Sequence, residues 1–197
     1  MMAKVQETAV QTQRVVTLPN ALSVLRIVAV AAFVWLALVP EADGAALAVL
    51  ALAGVSDYLD GYVARRWKQI SPLGQLLDPL ADRLTAIAVP VVLGIRDIVP
   101  WWLVIALIAR DAVLALTVPL LLRRGKVALP VHYIGKAATF ALLIGLPLLL
   151  LGSFDGVIGT AARSAGWAFT LWGLALYWWS AVIYLIEIRR VAGSTRP

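Results

Sequence analysis

Four aspartates that could hold metal ions lie close together in an otherwise apolar part of the chain: Asp57, Asp60, Asp78 and Asp82. On helices, the i,i+3 spacing of the first two and the i,i+4 spacing of the last two would place each pair on one helix face. Four carboxylates in one small space cannot all ionise without compensation, and divalent cations prefer such hard oxygen ligands. The pattern therefore predicts a divalent metal site.

The apolar surroundings of these aspartates impose a free-energy cost on each carboxylate. One aspartate at the centre of a membrane helix costs roughly 2.5–3.5 kcal/mol, so structural roles alone rarely justify four. Buried ion pairs between helices are the alternative interpretation, and they need as many cations as carboxylates. The predicted spans contain four candidate cations, so the count alone leaves that alternative open: Arg26, Arg83, Arg110 and Lys136.

The composition excludes an ordinary soluble domain. The 197 residues are 62% hydrophobic and 14% charged, and the mean hydropathy is +0.90, which is typical of polytopic membrane proteins. The chain has no cysteine, so disulfides and thiolate metal sites are excluded. Residues 1–17 contain Lys4, Glu7 and Arg14 and no long apolar core, so we expect no cleavable signal peptide.

Apolar runs of about 20 residues, the length that crosses a bilayer, occur six times. We therefore predict an all-α, polytopic membrane protein with six transmembrane helices in one domain, residues 20–188, between an N-terminal segment, 1–19, and a tail, 189–197. The predicted spans are Asn20–Val39, Ala45–Ala64, Leu73–Gly94, Pro100–Leu122, Val131–Leu151 and Ala165–Glu187.

Basic residues predict the orientation. Eleven of the lysines and arginines in ends and loops fall on one side of the spans and two, Arg96 and Arg163, on the other. By the positive-inside rule, both termini and the aspartates should face the cytoplasm across the plasma membrane. The net charge of +6 then indicates this bias plus affinity for anionic membrane lipids, and no nucleic-acid partner is expected.

The aspartates belong to a longer pattern, Asp57-x2-Asp60-Gly61-x2-Ala64-Arg65-x8-Gly74-x3-Asp78-x3-Asp82. This pattern resembles the signature of the CDP-alcohol phosphotransferase (CDP-alcohol phosphatidyltransferase) family at all eight fixed positions. The resemblance implies an enzyme that binds a cytidine nucleotide with two Mg²⁺ or Mn²⁺ ions. It assigns all four aspartates to the metals, with Asp82 also the general base.

The residues between the aspartates suit a nucleotide. Gly61 leaves space for a base or ribose to approach the helix backbone, Ala64 does the same one turn later, and Gly74 admits the nucleotide or lets its helix pack closely. Arg65 is placed to contact phosphate or to pair with a carboxylate. With Asp57, these four residues form the predicted CDP-binding set.

Acceptor-binding candidates lie later in the chain. Arg110 and Lys136 fall in cytoplasmic halves of predicted spans, where they could bind a phosphate of the acceptor. The alternative for Arg110 is an ion pair with Asp111 or Asp78 that only fixes helix packing. At the first span, Asn20 could be a helix cap or a donor to phosphates, and Arg26 is a weaker candidate. We expect His132, at a membrane interface, to contact headgroups.

Within the family, the chain most resembles members that transfer a phosphatidyl unit from CDP-diacylglycerol to a glycerol-based acceptor. Members that use glycerol-3-phosphate usually carry an Arg-Glu pair in the fourth span and two lysines in the fifth, whereas this chain has Arg110-Asp111 and only Lys136. Phosphatidylglycerol is therefore the preferred acceptor, glycerol-3-phosphate the alternative, and inositol phosphate the least favoured. The family is often dimeric, so a homodimer is possible.

Two other classes of membrane protein also use acidic residues. Intramembrane prenyltransferases bind metals and a pyrophosphate donor, but their two acidic motifs lie far apart, whereas here both lie within residues 57–82. An ion transporter could place carboxylates in broken helices, yet the sequence shows no inverted repeat or paired helix break. A metal-dependent release of CMP would separate an enzyme from a transporter.

Overall fold

The structure is a computed structural model that describes residues 18–67, 72–122 and 133–193, with side chains described for 23–56, 77, 79–117 and 133–188. Within these ranges the chain forms helices and no strand, which confirms the all-α prediction. The helices are α1 (Leu18–Leu38), α2 (Asp43–Trp67), α3 (Pro72–Ile95), α4 (Trp101–Leu122), α5 (Tyr133–Leu151) and α6 (Val157–Gly193).

The bounds of α1 to α5 agree with the predicted spans to within three residues at each end. The predicted span Ala165–Glu187 lies inside α6, but this helix is longer, begins at Val157 and has 37 residues. The predicted span was limited to bilayer thickness, but a helix can continue beyond the apolar core on both sides. Helix α1 begins at Leu18, so Asn20 lies inside its first turn, and the predicted capping role of its side chain is not tested.

The chain divides into two compact units, Met1–Val92 and Leu93–Pro197. In the first unit, α1 packs against α2. The buried positions of α1 recur every three or four residues, as expected for one face of a helix. They are Ser23, Arg26, Val30, Phe33 and Ala37. A charged side chain therefore lies on the buried face of α1.

Helix α3 carries the second half of the aspartate pattern and contains two internal prolines, Pro79 and Pro90. A proline inside a helix removes one backbone hydrogen bond and kinks the helix. Pro79 lies between Asp78 and Asp82, so the regular hydrogen-bond ladder is interrupted where the pattern places its last two carboxylates. The helix nevertheless continues to Ile95.

The connection from α3 to α4 is a compact turn. The N–H of Ile98 donates to the carbonyl of Leu93 at 2.9 Å and the N–H of Asp97 to that of Gly94 at 3.1 Å, which is the Schellman pattern of a helix C-terminus. Asp97 takes the left-handed backbone conformation that this motif requires, with φ 53°. Aspartate tolerates that conformation better than most non-glycine residues do.

In the second unit, α5 and α6 form a closely packed hairpin. A Cβ added at Gly145 would lie 2.5 Å from Thr170 Oγ1, and one at Gly166 would lie 2.8 Å from the backbone nitrogen of Leu149. A Cβ at Gly173 would come within 3.0 Å of Leu142. These three glycines allow the two helix backbones to approach each other, as small residues do in membrane proteins.

Helix α4 packs against α6 in the same unit. Leu103 and Leu107 of α4 form a buried cluster with Ala138 and Leu142 of α5 and Tyr177 of α6. The indole N–H of Trp178 donates to the Ala106 carbonyl at 3.2 Å. The second unit therefore has a three-helix core.

Two helical segments in the described part of the chain, Tyr133–Leu151 and Val157–Ile188, are long and apolar enough to cross a membrane. Shorter apolar segments are Ser23–Leu38 and Asp43–Ser56. Large apolar side chains are exposed on all six helices, including Trp35, Leu52 and Leu116. Soluble monomers rarely expose so much apolar surface, whereas a lipid-facing surface requires it.

Candidate functional site

The aspartate pattern lies on two consecutive helices of the first unit. Asp57 and Asp60 are helical residues of α2, and Asp78 and Asp82 are helical residues of α3. The helical setting assumed for the i,i+3 and i,i+4 spacings is thus confirmed. The other residues of the pattern are helical too: Gly61, Ala64 and Arg65 in α2 and Gly74 in α3. Their side chains and those of Asp57, Asp60 and Asp78 lie outside the described set.

Asp82 is the member of the pattern whose side chain is described. Its Oδ1 accepts a hydrogen bond of 2.7 Å from Nη1 of Arg26, which belongs to α1. The Arg26 side chain is only 7% exposed, whereas that of Asp82 is 63% exposed. The pair therefore joins a buried guanidinium to an accessible carboxylate within one unit.

The chemistry of the donor set fits a hard divalent cation. All four acidic residues supply carboxylate oxygen, the ligand type that Mg²⁺ and Mn²⁺ prefer. Among residues with described side chains, no group of three or more histidines or carboxylates gathers at one point. The predicted metal site thus depends on Asp82 together with Asp57, Asp60 and Asp78, whose side chains lie outside the described set. A site for two Mg²⁺ or Mn²⁺ ions stays a prediction.

Arg110 of α4 lies in a polar cluster of the second unit. Its Nη1 donates to Asp111 Oδ1 at 3.0 Å, its Nη2 to Ser180 Oγ at 3.0 Å and its Nε to the Tyr177 carbonyl at 3.4 Å. The guanidinium carbon lies 3.8 Å from the centroid of the Tyr177 ring. The Tyr177 hydroxyl donates to the same Asp111 oxygen at 2.7 Å.

Each guanidinium nitrogen of Arg110 thus has a partner on α4 or α6, and its side chain is only 12% exposed. These are the contacts expected from the alternative interpretation, in which an Arg110–Asp111 pair fixes helix packing. Direct binding of the acceptor by Arg110 stays a prediction. Its geometry requires the acceptor to compete with Asp111, Tyr177 and Ser180.

Lys136, the second predicted acceptor residue, has different surroundings. It lies in the first turn of α5 and is exposed. Its Nζ is 5.8 Å from the centroid of the Tyr133 ring, a weak cation–π contact at this distance and exposure. His132 and Asn20 have side chains outside the described set, so their predicted roles are not tested.

Sequence reasoning did not identify Tyr177 and Ser180 as partners of Arg110. Their i,i+3 spacing places both on one face of α6, and Tyr177 is 8% exposed and Ser180 fully buried. The signal available in the sequence was a pair of hydrogen-bonding residues inside a long apolar helix. The Arg26–Asp82 contact is an ion pair of the kind that the alternative interpretation of the aspartates allowed, although the sequence did not indicate which aspartate would pair with Arg26, 56 residues away along the chain.

Comparison with known proteins gives one family. The family model described as CDP-alcohol phosphatidyltransferase matches residues 16–185. The match includes all four aspartates of the pattern, Arg26, Arg110 and Lys136. It extends through nearly the whole of α1 to α6.

Curated relatives agree with this family. The chain is 52% identical to "Cardiolipin synthase (CMP-forming)" of Streptomyces coelicolor over 193 residues, 95% of this chain and 90% of that protein. It is 47% identical to "Putative cardiolipin synthase" of Mycobacterium tuberculosis over 185 residues, 94% and 88% of the two chains. It is 34% identical to a CDP-diacylglycerol–glycerol-3-phosphate 3-phosphatidyltransferase of Sodalis glossinidius over 145 residues, 71% and 79% of the two chains.

Proposed function

The chain belongs to the CDP-alcohol phosphatidyltransferase family, and from this premise we propose that it is a membrane phospholipid synthase that makes cardiolipin. It transfers the phosphatidyl group of CDP-diacylglycerol to a hydroxyl of phosphatidylglycerol and releases CMP. The observation that carries the proposal is the 52% identity, over 95% of the chain, to a CMP-forming cardiolipin synthase. The complete aspartate pattern on α2 and α3 supports it.

The phosphatidyl group passes directly from CMP to the acceptor, with no covalent enzyme intermediate. The acceptor hydroxyl oxygen forms a bond to the phosphorus that carries diacylglycerol, and the bond from that phosphorus to the CMP oxygen breaks. The hydroxyl proton passes to the Asp82 carboxylate, whose 63% exposure gives a substrate access to it. Most of the rate then comes from positioning the two lipids and neutralising charge.

The aspartates serve as the metal ligands in this proposal: Asp57, Asp60, Asp78 and Asp82. Bound Mg²⁺ or Mn²⁺, two ions per site, neutralises phosphate charge and stabilises the CMP leaving group. The CDP moiety lies along α2 and the start of α3, where Gly61, Ala64 and Gly74 leave space and Arg65 supplies a positive charge. Asp57 belongs both to the metal ligands and to the CDP-binding residues.

For the membrane arrangement, we propose that all six helices cross the plasma membrane within residues 20–188, with both termini in the cytoplasm. The exposed apolar residues on every helix support this, and so does the distribution of lysine and arginine. The aspartates then open toward the cytoplasmic leaflet, from which CDP-diacylglycerol and phosphatidylglycerol enter.

Glycerol-3-phosphate is the second candidate acceptor, because relatives named for its use are 30–34% identical to the chain. The higher identity to cardiolipin synthases and the Arg110-Asp111 pair favour phosphatidylglycerol. For either acceptor, Lys136 is the better placed of the two predicted cations to contact a phosphate, since it is exposed and the contacts of Arg110 are internal.

The test is a product assay on purified protein in detergent with radiolabelled CDP-diacylglycerol and Mg²⁺. Phosphatidylglycerol, glycerol-3-phosphate and inositol phosphate are offered separately. Labelled cardiolipin with the first acceptor supports the proposal, and product with the second alone moves the assignment to phosphatidylglycerophosphate synthesis. Folded, metal-binding protein that gives no product with any acceptor rejects the proposal and returns the ion-transporter alternative.

A further inference from the structure

The buried face of α1 contains a charge that the proposed reaction does not yet use. Arg26 is 6% exposed and lies in register with Ser23, Val30 and Phe33, which pack inward. Removing an arginine from water is costly unless its charge is compensated by a close partner. Val30 and Phe33, on the same face, are apolar, so the guanidinium of Arg26 needs a specific partner.

The partner explains the charge. Nη1 of Arg26 donates to Oδ1 of Asp82 at 2.7 Å, which is short for a nitrogen–oxygen hydrogen bond and typical of a charge-assisted one. The contact crosses from α1 to α3, so it fixes the direction of the carboxylate relative to a second helix. It thereby also restricts rotation of the Asp82 side chain about its own bonds.

The two ends of the pair differ in exposure. The arginine side chain is only 7% exposed, whereas the aspartate side chain is 63% exposed. A pair that only stabilised the α1–α3 contact would gain little from so open a carboxylate, because exposed ion pairs are screened. A reacting carboxylate must be accessible to substrate and held in one orientation by a buried neighbour, and the Arg26–Asp82 pair meets both conditions.

We propose that Arg26 is the positioning residue for Asp82. It holds Oδ1 of the carboxylate so that the group keeps one orientation while the acceptor hydroxyl approaches and loses its proton. The inference rests on the proposed function, in which Asp82 takes that proton. Arg26 itself touches neither substrate.

Three variants test the proposal: Arg26→Gln, Arg26→Lys and the matched control Arg83→Gln. Arg83 is the exposed neighbour of Asp82 on α3, so its replacement removes the same charge without removing the contact. For Arg26→Gln, we expect kcat to fall by about tenfold to a hundredfold, with KM for CDP-diacylglycerol within about twofold of wild type. Arg26→Lys keeps a donor and a charge and should recover part of kcat, and Arg83→Gln should match wild type.

A double variant separates positioning from folding. In an Asp82→Asn background, Arg26→Gln should cause no further loss of residual activity, because the group it orients is already disabled. The proposal is overturned if Arg26→Gln keeps wild-type kcat. It is also overturned if both Arg26 variants lower activity and melting temperature together, with no recovery in Arg26→Lys and a further loss in the Asp82→Asn background.

The contact can also be tested without turnover, because the chain has no cysteine of its own. Arg26→Cys combined with Asp82→Cys should cross-link rapidly with a short bifunctional thiol reagent. Arg26→Cys combined with Leu84→Cys, two residues further along α3, should cross-link slowly. Equal rates would overturn the Arg26–Asp82 geometry, whereas wild-type protein that makes no product from any acceptor would reject only the proposed function.

Discussion

The two units of the chain each contain an arginine–aspartate pair, and the pairs differ in what surrounds the carboxylate. In the first unit, Arg26 reaches from α1 to Asp82 on α3, and the Asp82 side chain is 63% exposed. In the second unit, Asp111 is 25% exposed and accepts hydrogen bonds from both Arg110 and Tyr177.

This difference separates two uses of charge inside a membrane protein. An intramembrane charge is a functional candidate by default, but its contacts decide what kind of function it has. In the Arg110 cluster, every guanidinium nitrogen donates a hydrogen bond to a residue of α4 or α6. Such contacts are expected of a side chain that stabilises the packing of α4 against α6. In the Arg26–Asp82 pair, the carboxylate stays accessible. This is the arrangement expected if Asp82 reacts with a substrate and Arg26 holds it in position.

The largest expected effect outside the aspartates is on stability, from Arg110→Gln. Removing the guanidinium breaks three hydrogen bonds and leaves the partly buried Asp111 carboxylate without its cation, which should cost about 3 kcal/mol of unfolding free energy. Denaturant unfolding in detergent measures it, with Arg83→Gln as the exposed control. Unchanged stability with a raised KM for the acceptor would show instead that Arg110 binds substrate directly.

The glycines of the two units give the next contrast. At Gly145 a Cβ would lie 2.8 Å from the backbone nitrogen of Thr170, so Gly145→Ala should destabilise by about 2 kcal/mol. At Gly54 of α2 nothing lies within 4 Å of the added carbon, so Gly54→Ala should be neutral or gain up to about 1 kcal/mol of helix propensity. Thermal unfolding of both variants checks this. Equal effects would contradict the close α5–α6 packing.

A smaller effect is expected from Lys136→Gln. Removing an exposed ammonium that contacts an acceptor phosphate should raise the acceptor KM about fivefold, equivalent to about 1 kcal/mol, with little change in kcat. Arg163→Gln is the control, because Arg163 lies at the opposite end of the α5–α6 hairpin and donates to the Gly152 carbonyl. Initial rates over a range of acceptor concentrations provide the measurement. A wild-type KM would remove Lys136 from the acceptor site.

The smallest expected effect comes from Tyr177→Phe, which removes only the hydroxyl that donates to Asp111 at 2.7 Å. Side-chain hydrogen bonds between apolar helices average about 0.6 kcal/mol, so the melting temperature should fall slightly while kcat stays near wild type. Tyr133→Phe, at an 86% exposed residue, should change neither. A large loss of kcat in Tyr177→Phe would show that the Arg110 cluster takes part in catalysis and does not only stabilise helix packing.

Much of the fold was readable from the sequence because each apolar run is bounded by turn residues and has the length of a bilayer crossing. The bounds of α1 to α5 followed from this. The length of α6 did not, since the helix extends from Val157 to Gly193, beyond the predicted span Ala165–Glu187 at both ends.

The candidate site was predictable where its residues are close in sequence. Asp78 and Asp82 lie one helical turn apart, so their shared setting needed only the helix period. The Arg110–Asp111 pair was predictable because the two residues are adjacent on α4. The partner of Arg26 and the other partners of Arg110 lie on other helices, and helix packing alone decides which of these side chains meet. Tyr177 and Ser180 illustrate this, because nothing in their own segment indicates Arg110 as a neighbour.

The most direct test of the account is metal-dependent CMP release from CDP-diacylglycerol in the presence of phosphatidylglycerol, measured for wild type, Asp82→Asn and Asp155→Asn. Asp155 is an exposed aspartate in the α5–α6 connection and serves as the matched control. The account predicts CMP and cardiolipin in equal amounts from wild type and Asp155→Asn, and a loss of about a thousandfold in Asp82→Asn. Equal CMP release by Asp82→Asn and wild type would contradict it.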